Sequence, residues 1–299
     1  MTRICIVGSL NTDTTMSLPE LPKIGETLEG QKLSFSAGGK GFNQAITARR
    51  LGSDVAFIGA VGKDDGGAHL NQVLQDEKID ARHVQILDSP TGMAWILIDA
   101  AGKNMILTYG GANLELTAAH IKAAGHTIQE SDVVVSQFEV QEEAILEAFR
   151  IARRHGKITI LNPAPAKTCS DELLSLTDYF IPNETEFEVM TGEIFRSAEQ
   201  NAMRELFQKG CQNVIVTCGA EGSVIVTKEH AWKVPAVKTT AVDSTAAGDS
   251  FIGTLAHFIA QKRSVEEAAQ IASKVAARVV EKYGAYTSIP SSKEMERYD

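Results

Sequence analysis

Two short stretches carry residue types that can do chemistry together. The first is Asp243-Ser244-Thr245-Ala246-Ala247-Gly248-Asp249-Ser250-Phe251, where small residues and a glycine lead straight into an apolar helical pattern. Exposed amides of residues 246–249 would converge on one point, backed by the positive end of the helix dipole. Such a point suits a phosphate or a developing phosphoryl charge. Asp249 then stands where it can accept a proton from an attacking hydroxyl, or it simply caps the helix, as Asp commonly does. The second stretch is Ala37-Gly38-Gly39-Lys40-Gly41-Phe42-Asn43-Gln44-Ala45. Three glycines allow close backbone approach to a ligand, and Lys40 and Asn43 offer donors at a helix start; the plainer reading is a glycine-rich turn with Asn43 as cap.

Three further segments add polar groups. Asn11 and Asp13 follow the first strand pattern, and the carboxyl ends of strands are where doubly wound sheets bind ligands; a plain turn is the alternative. Asn183-Glu184-Thr185-Glu186 follows another strand pattern and suits a hydrated Mg²⁺, which keeps waters and needs few protein oxygens. Thr217-Cys218-Gly219-Ala220-Glu221-Gly222 is a glycine-bracketed turn that either seats a nucleotide or closes a hairpin. Neither common nucleotide signature is present. Gly39-Lys40 is followed by Gly41 rather than Ser or Thr, and no G-x-G-x-x-G occurs, which disfavours P-loop NTPases and nicotinamide oxidoreductases.

Positioning these groups requires an ordered core, and the composition supplies one. The 299 residues are 43% apolar and 22% charged, which excludes disorder and fibrous repeats. Strand patterns at residues 3–8, 55–59, 133–136, 158–161, 179–182 and 214–217 are near-continuously apolar, as in a parallel sheet covered on both faces. Helical patterns at 43–51, 141–154, 184–191, 198–208, 248–261 and 265–281 alternate with them. This alternation predicts a doubly wound α/β sheet. Two excursions, residues 14–36 and a hairpin at 92–109 turning at Ala100-Ala101-Gly102-Lys103, break the rhythm and read as a lid. With no linker-like segment, residues 1–299 are expected to form one domain carrying that discontinuous lid.

Charge and cysteine usage bound the partners. With 29 Lys+Arg against 38 Asp+Glu the net charge is −9, so no cationic surface is available for nucleic acid. Phosphate must be handled by local devices. No apolar run approaches the ~18 residues needed to span a bilayer, and Asn11 and Asp13 interrupt the first strand too early for a signal peptide. Cys5, Cys169, Cys211 and Cys218 form no C-x-x-C, which predicts free thiols in a reducing cytoplasm. The scattered histidines and Trp232 are expected in core or surface roles. Trp95 falls in the lid, where a partner contact is an alternative to core packing. Arg49-Arg50 and Arg153-Arg154 suit helix C-terminal turns, and residues 293–299 read as a solvated charge run.

Taken together, the chain resembles the ribokinase family of ATP-dependent carbohydrate kinases, from the first strand to about residue 290. The likeness rests on Gly38-Gly39-Lys40-Gly41-x-Asn43-Gln44-Ala45 and Asp243-x-Thr245-x-Ala247-Gly248-Asp249-Ser250-Phe251, in that order. Asn11-x-Asp13, Gly110-Gly111-Ala112-Asn113, Ser136-Gln137-Phe138-Glu139 and Asn162-Pro163-Ala164-Pro165-Ala166 support it. It implies a three-layer α/β/α core with a mostly parallel sheet and a small β-sheet lid. Asn11, Asp13, Gly39, Lys40, Asn43 and Glu139 would bind the sugar. Asp249 would be the base, with the amides of Ala246, Ala247 and Gly248 as the anion hole. Asn183 and Glu186 would organise Mg²⁺ and the ATP phosphates, and Thr217, Gly219, Gly222, Gly248 and Ser273 would border the nucleotide. A K⁺ site would map to Asp243 and Thr245 with Ser288 and the backbone of Val279, Lys282 and Gly284.

The activity so implied is phosphoryl transfer from ATP to the C5 hydroxyl of D-ribose. Separately, a lid built of edge strands, whose unpaired edges seek partners, predicts a homodimer joined through it. A kinase for 2-deoxyribose or adenosine is the alternative within the class, and a non-catalytic sugar sensor the alternative outside it. Ser244 stands where the family usually has Thr, Ser273 where it usually has Asn, and Phe42 where it has a small residue.

Overall fold

The computed structural model describes residues 2–101, 103–197 and 200–298. Thirteen strands are present among them: β1 Arg3–Val7, β2 Asn11–Ser17, β3 Lys32–Gly38, β4 Asp54–Gly62, β5 Asp80–Leu87, β6 Gly92–Ile98, β7 Asn104–Tyr109, β8 Val133–Gln137, β9 Ile158–Asn162, β10 Tyr179–Phe180, β11 Asn213–Thr217, β12 Ser223–Thr227 and β13 Ala231–Val234. The helices are α1 Lys40–Arg50, α2 Asp65–Asp76, α3 Ala118–Ala123, α4 Gly125–Gln129, α5 Glu142–Arg154, α6 Asp171–Ser175, α7 Glu184–Thr191, α8 Asn201–Gln208, α9 Ala247–Ala260, α10 Val265–Val279 and α11 Ser292–Met295.

Nine strands form the main sheet in the order β13-β12-β11-β10-β9-β8-β1-β4-β5. From β5 to β11 every neighbour is parallel; β12 and β13 return antiparallel at one edge. The apolar runs explain the layering, because successive side chains on a strand point to opposite faces. Ile4 and Ile6 of β1 join the core under α1, α9 and α10, while Cys5 and Val7 join the one under α5 and α8. A side chain of this size, fully buried, stabilises the fold by about 1.5–3 kcal/mol. Both faces of the sheet are thereby covered, giving the three-layer arrangement.

Several elements differ from the sequence-based expectation. The edge strand β5 carries Asp80, Arg82, His83 and Gln85 and is only half-buried, so it lacks the apolar run of a central strand. Helix α2 starts Asp65-Gly66-Gly67 and buries only four residues, and its start is fixed by Asp64, whose carboxylate accepts from the Gly67 amide at 2.8 Å. The hairpin, one of the two readings of the segment after Thr217, is present, β11 pairing with β12. The chain end is not only solvated charge, because Met295 is buried and Ser291 and Glu294 cap α11. Of the helix expected over 198–208, Ala198 and Glu199 lie outside the described residues, and so does Gly102 of the hairpin turn; Asp299 does as well.

The second sheet has four strands, β3-β2-β6-β7, with β2 and β6 parallel and the outer pairs antiparallel. It begins at Asn11, so Asn11 and Asp13 sit on its central strand β2 rather than in a turn at the main sheet's edge. Pairing sets Asn11 opposite Gly92 and Asp13 opposite Ala94. The chain re-enters the core at Gly39, where φ is +99 and an added Cβ would meet the Ser9 carbonyl at 2.9 Å. Only glycine makes that turn without strain.

Candidate active site

A cavity of about 830 Å³ lies between the small sheet and the carboxyl ends of the main-sheet strands. One wall is the small sheet, contributing Asn11, Asp13, Ala94, Ile96, Ile106 and Thr108. The floor is Gly39, Lys40 and Asn43 at the start of α1, Glu139 beyond β8, Asn162 at the end of β9, and Gly248 and Asp249 at the start of α9. All six residues expected to bind sugar, and the expected base, are therefore in one cavity.

Asp249 is buried, and both its carboxylate oxygens are held. Asn43 donates from Nδ2 to Oδ2 at 3.0 Å, and Gln44 donates from Nε2 to Oδ1 at 3.2 Å. Gln44 is in turn fixed by Gln137, whose Nε2 donates to its Oε1 at 2.6 Å. Burial raises the Asp249 pKa, while the Lys40 ammonium and the Asn43 and Gln44 donors pull it back. The Glu139 charge adds to burial and the net direction is upward, which makes the ionised carboxylate a stronger proton acceptor. Lys40 itself loses protonation tendency through burial, but the charges of Asp249, Glu139 and Glu186 outweigh that and raise its pKa. Its ammonium donates to no described residue, so it is available to an incoming anion.

Glu139 anchors the glycine-rich loop. Its Oε2 accepts from the Lys40 amide at 3.0 Å and from the Ser9 hydroxyl, and Ser9 Oγ also accepts from the Gly41 amide at 3.3 Å. A carboxylate at the first turn of α1 complements the helix dipole. Asp13 accepts no hydrogen bond from any described residue. Burial, then the charges of Glu139 and Asp249, push its pKa from 3.8 up to about 7.

The turn into α9 is made by Ala246, whose φ of 62 is in the left-handed region despite its Cβ. Strain of this kind persists where the surroundings enforce it, and successive amides turned this way form an anion-binding concavity. The amides of Ala246, Gly248 and Asp249 have no acceptor among the described residues. The Ala247 amide differs from the expectation, since it donates to the Ser244 carbonyl at 3.2 Å. Three amides at this turn are therefore unpaired, with Asp249 in place of Ala247 in the expected set.

A second cavity of about 600 Å³ adjoins the first and shares Thr217, Ser244 and Gly248 with it. Gly219, Gly222, Phe251, Ser273 and Ala277 line it, so every residue expected to border the nucleotide falls here. Asn183 and Glu186 line the first cavity and cap α7 reciprocally: the Glu186 amide donates to Asn183 Oδ1 at 2.7 Å, and the Asn183 amide to Glu186 Oε2 at 2.8 Å. Burial raises the Glu186 pKa, partly offset by the Asn183 amide and Lys40.

The expected cation residues lie on two segments, one leading into α9 and one running from the end of α10 to Ser288, joined where Asp243 meets Gly284. Asp243 Oδ1 accepts from the Thr245 amide and hydroxyl at 2.9 and 2.6 Å, and its Oδ2 accepts from the Gly284 amide at 2.9 Å. The Val279 carbonyl is taken by the Lys282 amide, and Ser288 donates to the Ala285 carbonyl at 2.7 Å. The carbonyls of Lys282 and Gly284 accept from no described residue. Phe42 is resolved as core: it is fully buried, edge-on to Tyr286 at 5.5 Å, and lines neither cavity.

Gln44, Gln137, Ser9 and Asn113 were not singled out as site residues from sequence. Gln44, Gln137 and Asn113 do lie in motifs that carried the resemblance, but their roles depend on partners more than 90 residues away. No local spacing signals such contacts.

A deep cavity with a held carboxylate beside free amides, joined to a second cavity, defines a group-transfer enzyme on an α/β scaffold. The chain matches the pfkB family of carbohydrate kinases over residues 1–292 and belongs to that family. It is 37% identical over 295 residues to a ribokinase of Haemophilus influenzae, covering 97% of this chain and 96% of that one. It is also 36% identical over 299 residues to a deoxyribokinase of Salmonella typhi, covering 99% and 98%. Among solved structures, the Arabidopsis thaliana ribokinase complexed with ribose and ATP superposes with a TM-score of 0.92 at 27% identity, covering 100% of this chain and 99% of that one. No helix of the described residues is long and apolar enough to cross a membrane.

Proposed function

We propose that this sugar kinase transfers the γ-phosphoryl group of ATP to the C5 hydroxyl of D-ribose. The observation that carries the reading is the junction of the two cavities, where Asp249 stands beside the unpaired amides of Ala246 and Gly248. Sugar occupies the first cavity, with Asn11, Asp13, Gly39, Lys40, Asn43 and Glu139 around its hydroxyls. Nucleotide occupies the second, bordered by Thr217, Gly219, Gly222 and Ser273, with its phosphates directed past Gly248. The C5 oxygen attacks the γ-phosphorus, its proton passes to the Asp249 carboxylate, and the bond to the β-phosphate oxygen breaks, releasing ADP. Free amides and Lys40 stabilise the charge on the transferring group. Closure of the small sheet excludes water, which limits hydrolysis of ATP.

Asn183 and Glu186 fit a hydrated Mg²⁺, being oxygen donors with a buried, only partly compensated carboxylate. Mg²⁺ bound there supplies charge neutralisation for the phosphates. The uncommitted carbonyls of Lys282 and Gly284 beside Asp243, Thr245, Val279 and Ser288 fit a monovalent cation such as K⁺, whose charge would reinforce the amide concavity of Ala246.

The small sheet also supports a homodimer. Alternation turns Asp13, Ile96 and Thr108 to the cavity and leaves Leu33, Phe35, Trp95 and Leu107 exposed, at 50%, 73%, 51% and 60%. A contiguous apolar face between unpaired edge strands suits a second copy. A cytoplasmic location fits the four free cysteines.

The test is a substrate panel with Mg-ATP and K⁺. The proposal expects ribose 5-phosphate as product, with ribose preferred over 2-deoxyribose and adenosine because a hydrogen-bonding site penalises analogues lacking a hydroxyl. Preference for 2-deoxyribose overturns the substrate assignment, and sugar binding without turnover overturns the kinase reading.

A further inference from the structure

We infer that Asn113 is a positioning residue for sugar recognition, which sets the orientation of the Asn11 amide so that its Nδ2 donor faces the cavity. The inference rests on the assignment of Asn11 to the sugar site. Asn113 is 1% exposed and sits just after the return strand of the small sheet, directly against the point where β1 gives way to β2.

The orientation follows from backbone polarity. Amide oxygen and nitrogen are normally interchangeable in shape, and only their partners tell them apart. Asn113 pairs with Leu10 as a strand would: the Leu10 amide donates to Asn113 Oδ1 at 2.9 Å, and Asn113 Nδ2 donates to the Leu10 carbonyl at 3.1 Å. A backbone N–H cannot accept and a backbone C=O cannot donate, so the Asn113 amide has one allowed orientation. Its remaining N–H donates to Asn11 Oδ1 at 2.8 Å. That bond fixes the second amide in turn: Asn11 must present its oxygen to Asn113 and its nitrogen away from it. Asn11 lines the cavity, and its Nδ2 donates to no described residue. The cavity also presents carboxylates, Asp13 and Glu139 among them, which accept hydrogen bonds from hydroxyls. Asn11 Nδ2 then supplies a donor to a hydroxyl oxygen on the same wall. Asn113 also borders the cavity, but both its N–H bonds are already used, so it has no donor left for the sugar and acts through Asn11.

Space around the pair is closed. An added Cβ at Gly92 would lie 2.2 Å from Asn113 Nδ2 and 2.3 Å from Asn11 Oδ1. No ordinary side chain fits at Gly92 beside this bond. Asn113 also ties the returning end of the small sheet to its outgoing end at Leu10 and Asn11.

The experiment is a double-mutant cycle between Asn11→Ala and Asn113→Asp, with KM for ribose, KM for ATP, kcat and calorimetric ribose affinity measured for each folded variant. Asn113→Asp replaces the donor with an acceptor and frees the Asn11 amide to turn. The expected result is a rise of about tenfold in KM for ribose, with kcat and KM for ATP within about twofold. In the Asn11→Ala background the same substitution is expected to change ribose affinity no further. Asn113→Ala, which removes the donor without adding charge, repeats the cycle if Asn113→Asp does not fold. Additive effects, or a fall in kcat with unchanged ribose affinity, overturn the inference while leaving the sugar site intact. A neutral Asn11→Ala overturns the assignment of Asn11 itself, and with it the inference.

Discussion

Asp13→Asn is predicted to stabilise the folded protein while weakening its hold on sugar, and the gain in stability is predicted to grow with pH. The Asp13 carboxylate is 6% exposed and accepts no hydrogen bond from any described residue, and its pKa is pushed from 3.8 up to about 7. Burial is the main cause, followed by the charges of Glu139 and Asp249. An acid whose pKa is raised by folding contributes its stability at low pH and loses it as the pH climbs through the folded value. Below about pH 4 both states hold the proton and the substitution changes little. Between about pH 4 and 7 the unfolded chain releases it while the folded chain keeps it, so the native state loses ground steadily. Above that range the loss levels off at about 4 kcal/mol, three pKa units at 1.36 kcal/mol each. An unfolding entropy of about 2.1 cal/mol/K per residue over 299 residues converts this to a melting-temperature gain of about 6 °C at pH 8, against about 3 °C at pH 5. Calorimetric melts of both proteins without ligand, across that range, measure it. A gain independent of pH, or a loss at pH 8, would refute the reasoning. Sugar hydroxyls supply the donors that Asp13 lacks and so favour its ionised form; ribose binding near pH 7 should release protons, visible by titration in buffers of different ionisation enthalpy.

Other substitutions probe the remaining parts. An added Cβ at Gly248 meets nothing within 4 Å, and alanine favours a helix by about 0.5–1 kcal/mol over glycine, so Gly248→Ala should melt no lower than wild type. Its turnover should still fall by about tenfold or more, because the methyl group enters the proposed phosphoryl position; unchanged turnover counts against that position. Gly38→Ala places a Cβ 2.1 Å from Asp13 Oδ2 and should raise KM for sugar through a displaced carboxylate, as steady-state kinetics will report. Phe35→Glu, on the exposed face of the small sheet, should shift the light-scattering mass from dimer to monomer, and a monomeric wild type would contradict the proposed assembly.

The parts of the fold legible in sequence were those whose signal is local. Central strands such as Val133–Gln137 are buried on both faces and read as apolar runs, and Glu184–Thr191 is bracketed by a cap and a left-handed glycine, Gly192. Edge strand β5 and helix α2 lacked that signal because each buries only part of its surface. The catalytic candidates were legible for a similar reason, since Gly39, Lys40, Asn43, Gly248 and Asp249 lie at helix starts with distinctive small neighbours. Asn113 and Gln137 were not, because their roles are defined by Leu10, Asn11 and Gln44 across the fold. Ala246 shows the limit most plainly: its residue type gives no hint of a positive φ, which the structure imposes at the anion position.

The central claim is that Asp249 takes the proton from the attacking hydroxyl, and Asp249→Asn tests it most directly. The substitution keeps the shape of the side chain between Asn43 and Gln44 and removes its capacity to accept a proton. Ribose affinity by calorimetry should stay within about fivefold of wild type, while kcat falls by about 10²–10⁴, the usual contribution of a positioned general base. Near-normal turnover in that variant would contradict the account.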